Sequence, residues 1–119
     1  MRYLIFLLAV LALTQLNCGL SNREAEAVKK FAAMEANGIA KVKVDERGDI
    51  YLNNKLSSLD ALGEEFARIK KVNGVVWYYR ASTGQAAESS GSAVMKKVIE
   101  FKLPVKMCAS NDPCRKAFE

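Results

Sequence analysis

The sequence predicts a small α/β (α+β) domain, in which two helices pack on a mixed β-sheet, after an N-terminal export signal and a helical stalk. Three observations lead to this prediction. The 119-residue chain has the length of one domain. It opens with a positive start and a short apolar run, as secretory signals do. From residue 39 to residue 107, segments with strand periodicity and segments with helix periodicity then follow in the order ββαβαβ.

The N-terminal segment has the pattern of an exported protein. An apolar run extends from Tyr3 to Leu13, which is shorter than the roughly 20 apolar residues of a comfortable membrane span. We therefore expect residues 1–17 to be a signal peptide. Residues 18–38 are expected to form a lipid-anchored stalk or linker, because Ser21 to Asn37 is rich in Ala, Glu and Lys, which favour helix.

Cys18 directly follows the predicted signal and is the expected site of lipid attachment. A lipoprotein signal is cut immediately before the cysteine whose thiol receives the lipid, although Asn17 stands where a small residue is usual. This interpretation places the protein in the bacterial cell envelope, anchored to a membrane and facing the periplasm. An ordinary cleaved signal and an uncleaved short anchor are the two alternatives.

The first part of the domain is predicted to be a pair of strands. From Ala40 to Val44, apolar residues alternate with lysines, which is the period of a strand. Residues 45–48 form a turn in which Gly48 is available for positive φ. The alternation resumes from Ile50 to Leu52, and Asn53-Asn54 predicts another turn, since Asn tolerates the left-handed region.

Two amphipathic helices are predicted in the second part. Ser57 and Asp60 resemble a capping box, and the first helix ends at Asn73-Gly74. A second helix is predicted from about Ala86 to Phe101. Both have one apolar face, formed by Leu59, Leu62, Phe66 and Ile69 in the first helix and by Ala87, Gly91, Val94, Val98 and Phe101 in the second.

Two further strands complete the predicted domain. Val75 to Tyr79 is a continuous apolar run that suits a central strand covered on both faces. Its aromatic residues, Trp77 to Tyr79, are expected in the core, and an exposed patch or an edge for strand addition is the alternative. Leu103 to Met107 is the predicted last strand, with Pro104 at its start or edge. Residues 110–119 are expected to be a C-terminal tail.

Cys108 and Cys114 are expected to form a disulfide. They flank a segment with turn character, and an exported compartment permits such bonds. Two thiols without histidine or further cysteines make an incomplete zinc set, and no CxxC redox motif is present, so we expect no metal site.

The sequence does not indicate an enzyme or a cofactor site. The chain has no histidine, which is the commonest general base, and it lacks both the G-x-S-x-G and the phosphate-loop patterns. The net charge of +5 is spread along the chain without interleaved stacking aromatics, which does not favour nucleic-acid binding.

The segment from residue 39 to residue 109 resembles the periplasmic domain of the ExbD/TolR family of biopolymer-transport proteins. The resemblance lies in Val42 to Asp45, Gly48 to Asn53, Ser57 to Leu62, Arg80-Ala81, Val94-Met95 and Leu103 to Val105. Asn54 and Ser82 depart from the Gly and the Asp that are common in the family. The positions that carry the motif are Asp45, Gly48, Ile50, Asn53, Leu59, Leu62 and Arg80.

The resemblance implies a small sheet with two helices, and work beside an ExbB/TolQ-like proton channel that powers a TonB-like protein. Members carry a full membrane helix with an essential acidic residue, whereas residues 1–20 contain no Asp or Glu. We therefore expect a binding or accessory lipoprotein that does not itself conduct protons, with homodimerisation through the last strand. The alternatives are a stand-alone structural lipoprotein that binds peptidoglycan and a transport subunit with an uncleaved membrane helix.

Overall fold

The computed structural model describes residues 23–119, so the predicted signal and the lipid-attachment residue Cys18 lie outside the described residues. The chain divides into two units, residues 1–33 and residues 34–119. A helix, α1, covers residues 23–37. It is followed by β1 (Ile39–Val44), β2 (Ile50–Leu52), β3 (Lys55–Ser57), α2 (Leu59–Lys71), β4 (Val75–Arg80), α3 (Gln85–Glu100), β5 (Val105–Met107) and a 3₁₀ helix (Pro113–Phe118). Between residues 23 and 119, no helix combines the length and the apolar character that crossing a membrane requires.

The five strands form one mixed sheet in the order β3-β2-β1-β4-β5. The central strands β1 and β4 are parallel, β5 is parallel to β4, and β2 and β3 continue the sheet in antiparallel order. The predicted fold class, a mixed sheet with helices packed on it, is therefore confirmed. The third strand was not predicted, because its three residues are mostly exposed and carry no clear alternation.

The short third strand is a consequence of the Asn53-Asn54 turn. Both residues have positive φ, 52° and 70°, and two consecutive left-handed residues form the tight turn that suits a two-residue hairpin. The Asn53 side chain also accepts a 3.0 Å hydrogen bond from the backbone N–H of Lys41. The predicted turn thus reverses the chain fully and adds Lys55–Ser57 to the sheet.

One face of the sheet carries the main hydrophobic core, to which α2 and α3 contribute their apolar faces. Leu62, Phe66 and Ile69 of α2 are fully buried, as the helical spacing predicts. The helix is capped by Ser58 rather than by Ser57, and its hydroxyl accepts from the backbone N–H of Ala61 at 3.2 Å. The difference arises because Ser57 is the last residue of β3.

The other face of the sheet has a second, smaller cluster built from the end of the chain. The segment predicted as a tail contains the 3₁₀ helix, whose Phe118 is buried with its ring centroid 5.7 Å from that of Tyr79. Asn54 donates to the carbonyl of Ala117 at 3.0 Å. Six residues are too few to show helical periodicity in a sequence, and their burial depends on the sheet they cover.

The aromatic run of β4 is divided between these two faces. Tyr78 points to the face covered by α2 and α3, and Tyr79 lies in the second cluster; both are buried. Trp77 is partly buried, and its indole N–H donates to the carboxylate of Glu35 at 2.7 Å. This alternation explains why the run has no hydrophobic period, since both faces of the strand are covered.

Cys108 and Cys114 are joined by a disulfide that ties the end of β5 to the 3₁₀ helix. Both cysteines are buried in the second cluster. The closed loop is short, so in the chain-entropy treatment the bond stabilises the fold by roughly 2.4 kcal/mol.

We expect the double variant Cys108→Ala/Cys114→Ala to lose roughly 2 kcal/mol of the free energy of unfolding, because its unfolded chain is no longer restricted. Denaturant unfolding measures this loss. A reducing agent should lower the stability of the wild type and leave that of the double variant unchanged. Equal sensitivity of the two proteins to reductant would contradict the prediction.

Candidate binding groove

A groove of about 800 Å³ lies at the carboxyl ends of the parallel strands β4 and β5. Parallel strands end on the same side of a sheet, so the loops that follow them meet there. Open α/β sheets commonly bind ligands at these carboxyl ends. The residues that give the groove its chemical character are Tyr78, Arg80, Ser82, Ser92, Met95 and Met107.

Tyr78 extends under α3 and reaches the groove with its hydroxyl. The side chain is only 4 % exposed. A Cβ atom at Gly91 would lie 2.5 Å from the hydroxyl oxygen, so only glycine leaves room for the ring at this point of the helix. Tyr78 lines the groove, and within residues 23–119 no buried side-chain polar atom lacks a hydrogen-bond partner, so the hydroxyl is not a buried unsatisfied group.

Arg80 is two residues further along β4 and therefore lies on the same face as Tyr78. Its Cδ and Nη1 atoms are 3.4 Å and 3.7 Å from the point that a Gly91 Cβ would occupy, so its side chain converges on the Tyr78 hydroxyl. None of the ion pairs in the described part of the chain includes Arg80. The groove therefore presents a cation and a hydroxyl donor side by side.

The remaining walls combine hydroxyls with flexible apolar side chains. Ser82 precedes α3 and accepts a 3.0 Å hydrogen bond from the backbone N–H of Gly84. Ser92 and Met95 come from α3, and Met107 comes from the end of β5. Thioether side chains adapt to differently shaped partners. Chemically, the arrangement suits the binding of an elongated group that carries a negative charge or a carbonyl oxygen.

The strand β5 forms an open edge of the sheet beside this groove. The carbonyl of Pro104 accepts from the N–H of Val76 at 2.9 Å, and the N–H of Cys108 donates to the carbonyl of Tyr78 at 2.8 Å. Because backbone groups alternate in direction along a strand, those of Val105 and Met107 point away from β4. These outward groups are a template for one more strand.

The structure separates Arg80 from most of the other sequence-predicted positions. Asp45 stabilises the turn after β1, where its carboxylate accepts from the backbone N–H groups of Arg47 at 3.0 Å and Asp49 at 2.8 Å. Gly48 has φ 82°, and its carbonyl accepts from the hydroxyl of Ser90 at 2.6 Å. These residues hold the hairpin in place and do not line the groove.

The other motif positions serve the core or a turn. Ile50 and Leu62 are buried, and Leu59 packs against the core at the start of α2. Asn53 forms the β2–β3 turn. Among the predicted positions, Arg80 and Cys108 line the groove, and within residues 23–119 no group of three or more side chains is arranged to hold a metal ion.

Tyr78, Met95 and Met107 were not identified as site residues from the sequence. Tyr78 lies within an apolar run in which every residue has core character, so nothing local distinguishes its hydroxyl. Only the topology could have pointed to these residues, because residues that follow parallel strands meet at the carboxyl ends of the sheet. Arg80 directly ends such a strand, and Met107 ends the next one.

Comparisons with other proteins do not add to this description. No protein-family model matches the chain, and a comparison with curated proteins finds no match either.

We expect a pH-dependent loss of stability that depends on Tyr78. Burial raises the pKa of this tyrosine above its ordinary value of 10.0, and the nearby charge of Arg80 opposes part of the increase. Since the folded-state pKa is the higher one, the stabilisation is complete below the ordinary value and is lost as the pH rises through the raised pKa.

Above about pH 10, the free energy of unfolding of the wild type should therefore fall more steeply than that of Tyr78→Phe. Denaturant unfolding at a series of pH values measures both slopes. Tyr51→Phe is the matched control, because it removes a tyrosine hydroxyl outside the groove. If wild type and Tyr78→Phe had the same slope, the assigned effect of burial would be wrong.

Proposed function

We propose that the chain is an ExbD/TolR-like envelope lipoprotein, a binding or accessory component of a biopolymer-transport system that is driven by the proton motive force. In this proposal, Cys18 anchors the chain to a membrane and the domain works in the periplasm. The partner is an ExbB/TolQ-like channel or a TonB-like protein, which the domain contacts through an extended segment. The domain does not conduct protons, since residues 1–20 contain no Asp or Glu.

The observation that carries the proposal is the open β5 edge with an adaptable groove beside it. Val105 and Met107 point their backbone groups away from β4, within residues 23–119 no further strand follows β5 at this edge, and Met107 is 56 % exposed. In strand addition, backbone hydrogen bonds provide affinity, and pockets for alternate side chains provide specificity. The β5 edge and the groove have this combination, which suits an extended partner segment better than a small substrate.

The fold is in agreement with what the resemblance implies. It consists of a small mixed sheet with α2 and α3 on one face, and the motif positions fall at the turns and core contacts that such a sheet needs. A fold of this type is compatible with many functions, so it supports the proposal without determining the partner.

A structural role at the peptidoglycan is the second candidate, and one feature favours it. On the face opposite α2 and α3, cationic groups stack on aromatic rings: Lys43 lies 5.6 Å from the ring centre of Tyr51, and Lys106 lies 5.4 Å from that of Trp77. Ring faces and cations together suit an acidic glycan. In this case the chain should sediment with purified sacculi, independently of β5.

Strand addition can be tested in cells with a photo-crosslinking residue at Ala109, which is exposed and lines the groove. We expect Ala109 to crosslink to a discrete partner of the transport class. Leu56, which is 68 % exposed on the opposite edge strand β3, is the control position. A channel or energy-transducing protein recovered from Ala109 alone supports the proposal.

The backbone contribution is isolated by a matched pair of variants. Met107→Pro removes an N–H that points outward and is not needed for pairing with β4, whereas Met107→Ala keeps it. The crosslink should be lost in Met107→Pro and retained in Met107→Ala. Crosslinks that survive in both variants, or sedimentation with sacculi that neither variant changes, would contradict strand addition at β5.

The mass of the mature N-terminus tests the anchor. We expect a lipid-modified chain that begins at Cys18 in protein purified from membranes, because the preceding residues have signal character. Cys18→Ser should abolish the modification. An intact Met1 would refute the lipoprotein assignment and favour a transport subunit that keeps its N-terminal apolar segment in the membrane.

A further inference from the structure

We infer that the groove is a carboxylate-recognition site, in which Arg80 and Tyr78 bind a carboxylate carried by an extended peptide segment that pairs with β5. The inference deepens the proposed function and rests on it for the β5 pairing. It predicts that the partner segment carries one negative charge, located on the side of the sheet that α2 and α3 cover.

Arg80 lies at the end of a central strand, lines the groove and is exposed. It belongs to none of the ion pairs within residues 23–119. The planar guanidinium matches the geometry of a carboxylate with two parallel N–H donors. Of the net charge of +5, only the contribution of Arg2 belongs to the predicted signal, so the anchored chain remains basic and attracts acidic segments before specific contacts form.

Tyr78 places a hydroxyl donor beside Arg80, because both side chains approach the position of a Gly91 Cβ. The residue lines the groove and is only 4 % exposed. Within residues 23–119, no buried side-chain polar atom lacks a hydrogen-bond partner, so this hydroxyl is not a buried unsatisfied group. A carboxylate oxygen in the groove would accept a hydrogen bond from it.

Gly91 lies in the middle of α3, where a glycine stabilises a helix less than an alanine would. At Gly91 the missing side chain leaves the space where the Tyr78 hydroxyl and the Arg80 side chain meet, 2.5 Å and 3.4 Å from the position of a Cβ. The helix therefore accommodates the two groups that would bind the carboxylate.

The position of the groove fits a segment paired with β5. Met107, at the end of β5, lines the same groove as Arg80 and Tyr78. Along an added strand, every second side chain points to the face that α2 and α3 cover. The carboxylate on such a residue, or at the C-terminus of the segment, would reach Arg80.

The experiment uses the full-length chain and three short Thr/Val peptides with β propensity. One ends in a free carboxylate, one is amidated, and one is amidated with an internal Glu. N-acetylglutamate is the small carboxylate probe. Affinities are measured by NMR titration, with the backbone amides of Gly91 and Met107 as reporters of the groove and of the edge.

We expect at least one carboxylate-bearing peptide to bind about tenfold more tightly than the amidated peptide without Glu, because only the carboxylate forms a charge-assisted hydrogen bond with Arg80; tenfold corresponds to about 1.4 kcal/mol. The comparison between the C-terminal and the internal carboxylate identifies the source of the charge. Equal affinities for all three peptides would overturn the inference.

Variants locate the effect. Arg80→Gln should remove the about tenfold advantage of the carboxylate, Arg80→Lys should retain only part of it, and Tyr78→Phe should reduce it several-fold by deleting one hydrogen bond. Arg47→Gln is the charge-matched control, because Arg47 is exposed in the β1–β2 turn and does not line the groove. An unchanged carboxylate preference in Arg80→Gln would refute the assignment even if peptides bind.

A failure of the proposed strand addition gives a different experimental result from a failure of the carboxylate site. If the uncharged peptide binds wild type and Met107→Pro equally, or binds neither, strand addition at β5 is not supported. The carboxylate site is then decided by N-acetylglutamate alone, which should shift the Gly91 amide in wild type and in Met107→Pro but not in Arg80→Gln. No shift in any of these proteins would overturn the inference independently of β5.

Discussion

The parallel pairing of β1 with β4 is the interaction on which the rest of the domain depends. Six consecutive residue pairs, from Ile39↔Val75 to Val44↔Arg80, place the two longest strands side by side in the centre of the sheet. Parallel strands need a crossover connection, and α2 with its buried apolar face provides part of it. Because β1, β4 and β5 run in the same direction, their carboxyl ends lie at the same end of the sheet.

Two local interactions stabilise the end of the sheet at which the groove lies. The β1–β2 turn is closed by the Asp45 carboxylate and fastened to α3 by the hydrogen bond between Ser90 and Gly48. On the other face, the disulfide fixes the end of β5 against the 3₁₀ helix. Arg80 and Tyr78 thus extend from a rigid strand into a groove whose walls are held from both sides.

The sequence predicts the parts of this fold in which periodicity and burial coincide. The buried face of α2 follows from the spacing of Leu62, Phe66 and Ile69, and β4 follows from its unbroken apolar run. β3 and the 3₁₀ helix escape prediction because they are three and six residues long and are ordered by the sheet they join. Arg80 is one of the motif positions of the family resemblance, and its role in the groove stays a proposal. The role proposed for Tyr78 depends on which ring of β4 faces α3, and the sequence does not show this.

The short length of β5 constrains the kind of partner that the groove can select. Only Val105 and Met107 present outward backbone groups, and Pro104 has no N–H to extend the pairing. Short edge strands and a lysine such as Lys106 are also what natural proteins use against unspecific strand pairing.

Backbone pairing at the β5 edge is therefore weak by itself, so side-chain contacts in the groove must supply most of the discrimination between partner segments. A charge recognised by Arg80 would supply this discrimination with a small desolvation penalty, since Arg80 is exposed. Under the proposed lipid anchor, confinement to a membrane surface would raise the effective concentration of such a weak interaction, which suits reversible contact with a moving partner better than a permanent complex.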